Sequence, residues 1–219
     1  MVENESGSTG RSLVERLSGR RILLTGVTGF LGQVVFERLI GEVPDAQIVL
    51  LVRSQTGSSP RDRVEYLFRK PAFDLLRERS GEDGLRAELD RRVTIVDGDF
   101  SRGVPQLPAD IDIAIHSAAA VSFDPPIDEG FQTNLFGAMN LYRGVIESGS
   151  RPCLVHISTA YVAGVAKGVV PEDTLDHRVD WRTEGDLALQ ARRDVEAHAA
   201  SAPTSRAHSE SLRRHRECR

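Results

Sequence analysis

Arg21-Ile22-Leu23-Leu24-Thr25-Gly26-Val27-Thr28-Gly29-Phe30-Leu31-Gly32 is the stretch on which the fold of this 219-residue chain turns. Arg21 to Thr25 is a short, nearly all-apolar run ending at a glycine, the pattern of a central parallel strand buried on both faces. Gly26, Gly29 and Gly32 then recur at every third position where strand gives way to helix. At such a junction the first glycine allows a tight turn, the second lets the backbone approach a pyrophosphate, and the third admits close packing of the helix. Unpaired first-turn N–H groups and the helix dipole face the phosphates. Glycines at this interval also occur by chance in loops, so their placement directly after the first strand carries the reading.

Working outward, Phe30 to Ile40 follows with Phe30, Leu31, Val34, Val35 and Leu39 as a helical stripe that packs on that strand. Gln47 to Val52 is the next apolar run, so the first unit is strand, glycine turn, helix, strand, the order of a right-handed crossover. From Arg53 to Arg91 a charged stretch has helical periodicity, interrupted at Pro71. Val93 to Val96, Ile111 to Ile115 and Cys153 to Ile157 predict further strands, and Asp128 to Glu147 a long helix. Strands alternating with helices give the α/β class, here a Rossmann-type, doubly wound parallel sheet over 17–200. Residues 1–16 read as a disordered leader. In 201–219 the only large aliphatic residue is Leu212, so the stretch reads as a disordered tail. The reading preferred over that is a chain cut short or out of frame shortly after Ala199, with the C-terminal part of the domain missing.

A formal net charge of -4 gives no basic field for nucleic acid or an anionic membrane surface, and 40% hydrophobic content suits an ordinary globular domain. No apolar run approaches the roughly 20 residues that cross a bilayer, and the amino terminus lacks the apolar stretch of a secretory signal. The histidines have no zinc spacing, so no metal is expected. Cys153 and Cys218 form no redox spacing, and Cys153 lies in a run that reads as buried strand. A reducing cytoplasm is the simplest location; nothing in the sequence sets an oligomeric state.

In NAD-binding sheets an acidic residue closes the second strand about 20 residues past the glycines and holds the ribose hydroxyls. Here that strand ends Leu50-Leu51-Val52-Arg53-Ser54. An arginine can instead grip a 2′-phosphate with its fork of donors, so the cofactor reads as NADP(H) rather than NAD(H). Arg61 and Arg63 stand near enough in sequence to help, although a solvated surface position is the more ordinary account of each. Val96-Asp97-Gly98-Asp99-Phe100 would set Asp99 as an acceptor near the adenine amino group. His116-Ser117-Ala118-Ala119-Ala120 offers small residues where a cofactor must pass closely. A turn at Asp97-Gly98 and tight packing of the alanines are the plain alternatives, and it is their joint placement at successive strand ends that favours a crevice. The predicted cofactor set is Thr25, Gly26, Thr28, Gly29, Phe30, Leu31, Gly32, Arg53, Arg63, Asp99, Phe100, His116, Ala118 and Ala119.

These segments resemble a known family when taken with three more: Val121-Ser122-Phe123-Asp124, Asn134-Leu135-Phe136-Gly137-Ala138-Met139-Asn140-Leu141, and His156-Ile157-Ser158-Thr159-Ala160-Tyr161-Val162-Ala163-Gly164. The family is the extended short-chain dehydrogenase/reductases and, within it, the fatty acyl-CoA reductases of male-sterility type; the resemblance runs from Leu17 to Leu187. It implies NADPH-dependent reduction of a long-chain fatty acyl-CoA thioester to aldehyde or alcohol. By position it implies Thr159 as the hydroxyl at the substrate carbonyl, Ser158 as the second candidate, and Asn134 as the helix asparagine that supports the site. Ser158 and Thr159 also suit a strand end, and Asn134 a helix cap or bend. The family's tyrosine, with a lysine four residues later that lowers its pKa, reads as absent: Tyr161 is followed at that spacing by Val165. The chain is therefore expected to be impaired as a reductase on its own. Two other readings stay open, a thioester reductase domain acting on carrier-bound acyl groups and a non-catalytic NADP-binding fragment.

Overall fold

The computed structural model describes residues 11–122, 126–163, 168–171 and 180–201. Phe123, Asp124, Gly164 and almost all of the predicted tail lie outside the described residues. The predicted leader ends early, because Ser12 and Glu15 cap each other reciprocally and start helix α1 (Leu13–Leu17). Then come β1 (Arg21–Thr25), α2 (Phe30–Glu42), β2 (Gln47–Val52) and α3 (Pro60–Leu67). A 3-10 turn (Pro71–Phe73) marks the predicted break at the proline, followed by α4 (Asp74–Arg92) and β3 (Val93–Asp97). The second half runs β4 (Ile113–His116), α5 (Ile127–Gly130), a π-helical turn (Phe131–Gly137), α6 (Ala138–Glu147), β5 (Cys153–His156) and α7 (Trp181–Ser201). All five strands pair in parallel in the order β3-β2-β1-β4-β5. The winding reverses between β1 and β4, which opens a crevice at their carboxyl ends.

Alternation along the central strands divides the core. Ile22, Leu24, Ile48, Leu50 and Val52 meet Phe36, Phe68 and Phe73 on one face, while Leu23, Val49, Leu51 and Ala114 meet Leu141 and Val145 on the other. The helix α2 buries only part of the stripe expected of it, Leu39 with Val35 packed against the core. Phe30, Leu31 and Val34 are exposed, and Gly32, Phe36, Leu39 and Ile40 are buried. Both sets have helical spacing; the choice between them is made by Gly32, which must press against the turn.

Two further expectations need correction. Among the described residues no helix joins β3 to β4, because Pro105 and Pro108 each lack a backbone donor and break the helical ladder. Val104, Leu107 and Ile111 drop onto the sheet instead, so β4 begins at Ile113 rather than Ile111. A recess of about 760 Å³ remains there, lined among others by Val96, Val104, Leu107 and Gly144. Cys153 is exposed rather than buried, because among the described residues β5 is the edge strand and is paired on one side only.

Arg92 closes the far end of α2. Its fully buried guanidinium donates to the carbonyls of Leu39 (3.2 Å), Val43 (2.9 Å), Ala46 (3.4 Å) and Ile40, while its Nε holds Glu88 at 2.7 Å. Several of these are the carbonyls that a helix end leaves without partners. Arg92→Met fills most of the space but strands them, so stability should fall by about 3 kcal/mol in denaturant melts. A loss under about 1 kcal/mol would mean that water replaces the guanidinium without cost.

Candidate functional site

The glycine turn is built by backbone crowding. Gly26 has φ of 75°, and a Cβ there would lie 2.7 Å from backbone atoms of Ser117 and Ala118; one on Gly32 would lie 2.1 Å from the Gly26 carbonyl oxygen. Both glycines are thus required by the contact of β1, α2 and the end of β4. At Gly29 the constraint is different, since an added Cβ would meet only the Gly26 oxygen, at 3.1 Å. Gly29 is the N-cap of α2 and places no side chain over the first-turn amides. Thr28, Gly29, Phe30 and Leu31 form an exposed lip, with Val27 and Gly32 turned inward. A dinucleotide pyrophosphate fits this cradle, which offers uncapped amides, a helix dipole and no intervening Cβ.

Two arginines converge beside the lip. A Ser59–Asp62 capping box starts α3, and from that helix Arg63 donates to the Arg53 carbonyl and, at 3.3 Å, to the Thr28 hydroxyl. Burial and then the charge of Arg53 lower the Arg63 pKa, and among the described residues Arg63 makes no ion pair. The Arg53 guanidinium is 62% exposed and lies 3.5 Å from Asp99. Burial pushes the Asp99 carboxyl up, but the Ser101 hydroxyl and amide, helped by Arg53, outweigh it and leave its pKa below the ordinary value. Arg61 turns away to Glu65 (2.6 Å) and Asp90 (2.7 Å). Asp97 accepts the Ser54 amide at 2.9 Å and so ties the end of β2 to the end of β3.

Of the predicted cofactor set, three side chains point into the protein. Thr25 and His116 are buried and share a hydrogen bond of 2.7 Å between Oγ1 and Nδ1. The Phe100 ring lies 5.3 Å from the His116 ring and against Gly137, where a Cβ would meet it at 2.7 Å. Burial first, then the charge of His156, push His116 down to about 4. These groups underpin the crevice, whereas Ala118 and Ala119 stay at its surface. Ser117 and Tyr142 escape the sequence reading. The Ser117 hydroxyl donates to the Thr25 carbonyl at 2.8 Å, and the Tyr142 hydroxyl is hydrogen-bonded to His156 Nδ1. Ser117 stands inside a quoted motif, but no spacing rule ties a helix tyrosine to a strand histidine.

Asn134 lies in the π-helical turn and clamps the loop after β4, accepting from the Ala120 amide (2.8 Å) and donating to its carbonyl (3.0 Å). The turn is covered by α7, whose Arg192 reaches Asp128 at 3.2 Å. Ser158 and Thr159 follow β5 at the surface; the Thr159 oxygen accepts the Tyr161 amide at 3.2 Å, which leaves its proton to donate elsewhere. A tyrosine and lysine at four-residue spacing do occur, contrary to the reading of that pair as absent. They are Tyr66 and Lys70, whose ammonium sits 4.6 Å over the Tyr66 ring. They belong with α3, which packs on β3, and β3 and β5 are opposite edges of the sheet. Four strand spacings, roughly 19 Å, separate that edge from the strand leading to Thr159, so this pair does not serve it.

Comparisons with known proteins agree with this geometry. The NAD-binding family described as male sterility protein matches residues 24–212. Probable fatty acyl-CoA reductase 5 of Arabidopsis thaliana is 33% identical over 170 residues, covering 73% of this chain and 34% of that protein. Fatty acyl-CoA reductase 1 of the same plant is 31% identical over 202 residues, 84% of this chain and 41% of that protein. The terminal R domain from the myxalamid PKS-NRPS biosynthetic pathway has 26% identity and a TM-score of 0.56, over 73% of this chain and 40% of that one. The chain therefore spans 34% to 41% of the length of these curated relatives.

Gly29→Val should abolish dinucleotide binding with little change in helical circular dichroism, whereas Gly32→Ala should lower the melting temperature as well. Retained binding in Gly29→Val would place the cofactor elsewhere. A second expectation concerns acid. His116 prefers its neutral form when folded, so its contribution to stability is full above the ordinary value of 6.5 and is lost as pH falls toward about 4. The titratable groups facing it are His156 on β5 and Tyr142 on α6; Thr25 on β1 and Phe100 are neutral. Denaturant melts at about pH 7 and about pH 5 should differ less in His116→Gln than in the wild type. Equal pH dependence would assign the acid sensitivity to another group.

Proposed function

This chain belongs to the male-sterility family of NAD-binding proteins, and from that premise we propose that it holds the cofactor of an NADPH-dependent reductase. Its substrate is a long-chain fatty acyl-CoA thioester, and its product an aldehyde or alcohol. The glycine turn at the head of the sheet binds a nicotinamide cofactor. The observation that carries the choice of NADP is the pair of guanidiniums, Arg53 and Arg63, beside Thr28. In NAD sites that strand end presents a carboxylate to the ribose hydroxyls; here the same place presents positive charge suited to a 2′-phosphate.

When bound, the cofactor supplies a hydride to the carbonyl carbon of the thioester. The chain's own residues bind and orient. The Phe30 and Leu31 amides at the start of α2 hold the pyrophosphate, with Gly29 leaving the approach clear. The Thr159 hydroxyl donates to the carbonyl oxygen as negative charge collects there, with Ser158 as the alternative donor, and Asn134 fixes the loop that ends β4. Delivery of a proton to that oxygen is the weak step, because the Tyr66–Lys70 pair stands at the other edge of the sheet. Turnover by this chain alone is accordingly slow. The likeness to the R domain favours one other reading, reduction of a carrier-bound acyl group, which a carrier-linked substrate would distinguish. Among the described residues no helix is long and apolar enough to cross a membrane, and the proposed setting is the cytoplasm.

Titration should give tighter binding of NADPH than NADH by about tenfold to a hundredfold, the range of a charge-assisted contact to phosphate. Arg53→Ala should narrow that gap. Equal affinities, unchanged in the variant, would overturn the NADP assignment. Oxidation of NADPH in the presence of palmitoyl-CoA, compared with a carrier-bound palmitoyl thioester, tests the substrate.

A further inference from the structure

The parallel register aligns Thr25 with His116 and His116 with His156, so three polar side chains stand in one row across β1, β4 and β5. In a parallel sheet such a row shares one face. The Thr25 hydroxyl meets His116 Nδ1 at 2.7 Å, and the next residue of β4, Ser117, donates to the Thr25 carbonyl at 2.8 Å. The hydroxyl and the carbonyl of the residue that precedes Gly26 are therefore held by the end of β4. The imidazole is itself fixed: Phe100, Tyr142 and His156 surround it with ring centroids at 5.3, 5.9 and 5.4 Å. The Tyr142 hydroxyl holds the His156 ring, and the Ile157 amide donates to the His116 carbonyl at 2.9 Å.

Thr25 and His116 are buried, so neither side chain touches a ligand in the crevice. Yet Gly26 begins the turn at φ of 75° within crowding distance of the Ser117–Ala118 backbone, and any tilt of β1 against β4 moves the whole lip. The geometry points to His116 as a positioning residue for the cofactor, acting through Thr25 to set the attitude of the glycine turn. This rests on the nicotinamide reading of the crevice. The ring and the threonine hydroxyl share one hydrogen bond, and that bond defines where the Phe30 and Leu31 amides aim. A merely structural role for the same pair would tie cofactor affinity to folding stability; a positioning role separates the two.

The test uses the full chain and NADPH titration beside thermal melts. Thr25→Val removes the hydroxyl and should weaken NADPH binding about fivefold to tenfold, while Thr25→Ser keeps it and should stay within about twofold. The double variant Thr25→Val with His116→Phe leaves no stranded polar atom, so its melting temperature should recover toward the wild type. Its NADPH affinity should remain about fivefold weaker. Recovery of affinity together with stability would overturn the proposal, as would equal affinities for Thr25→Val and Thr25→Ser, a comparison that decides the matter if the double variant fails to fold. A wild-type chain that binds neither NADPH nor NADH would overturn the nicotinamide reading and this proposal with it, a result distinct from a wild type that binds and variants that bind as well.

Discussion

The crevice depends on one contact, the approach of Gly32 to the Gly26 carbonyl, so close that a methyl group would overlap the oxygen at 2.1 Å. With that approach allowed, α2 leaves β1 through a turn of minimal length and its first amides emerge beside the carboxyl ends of the strands. The same contact turns the helix about its axis. Gly32, Phe36, Leu39 and Ile40 take the inner face, and Phe30 and Leu31 are left at the lip. At its other end α2 is held by the buried Arg92. Both ends of the helix are fixed by backbone contacts rather than by helix propensity, which would place its axis only loosely.

What the sequence makes legible follows from how local each signal is. The strands Arg21–Thr25 and Gln47–Val52 stand where the apolar runs predict them, because a strand buried on both faces leaves a continuous pattern. The face that α2 buries is only partly legible: Val35 and Leu39 pack inward as the stripe predicts, and a contact with another element turns Phe30, Leu31 and Val34 outward. Cys153 has the surroundings of an inner strand in sequence, and only the strand order makes it an edge. The Tyr66–Lys70 pair shows the reverse case, a correct spacing in the wrong place. Its residues satisfy a one-dimensional rule, but the sheet puts them across from Thr159, where the rule has no chemical meaning.

The candidate cofactor residues divide along the same line. Strand ends can be found from apolar runs, and Thr25, Asp99, Phe100 and His116 stand at or just beyond them. Whether a side chain faces ligand or core depends on the parity of the strand and on what lies beneath. Thr25 and His116 fall on the face shared with Leu141 and Tyr142, and the hydrophobic cluster there draws Phe100 under as well. Their polar atoms then find partners in each other, as buried groups must. Among the described residues no buried side-chain donor or acceptor lacks a hydrogen bond, so the polar atoms buried beneath the crevice are paired before any ligand arrives.

That completeness sharpens the contrast with the rim. Arg63 is partly desolvated, sits near a second guanidinium, and among the described residues bonds only to a carbonyl and a hydroxyl, both neutral acceptors. Two like charges held together raise the energy of the empty site, and an entering anion relieves that repulsion as well as adding its own attraction. Asp99 tempers the field at Arg53 without neutralising Arg63. A monoanionic or neutral group would gain little from such a rim. A phosphate, with charge near two and three acceptor oxygens, has enough acceptors for two such forks. On the proposed NADP reading, selectivity at this position would lie in an unbalanced pair of charges, set against a crevice floor whose buried polar groups are already paired.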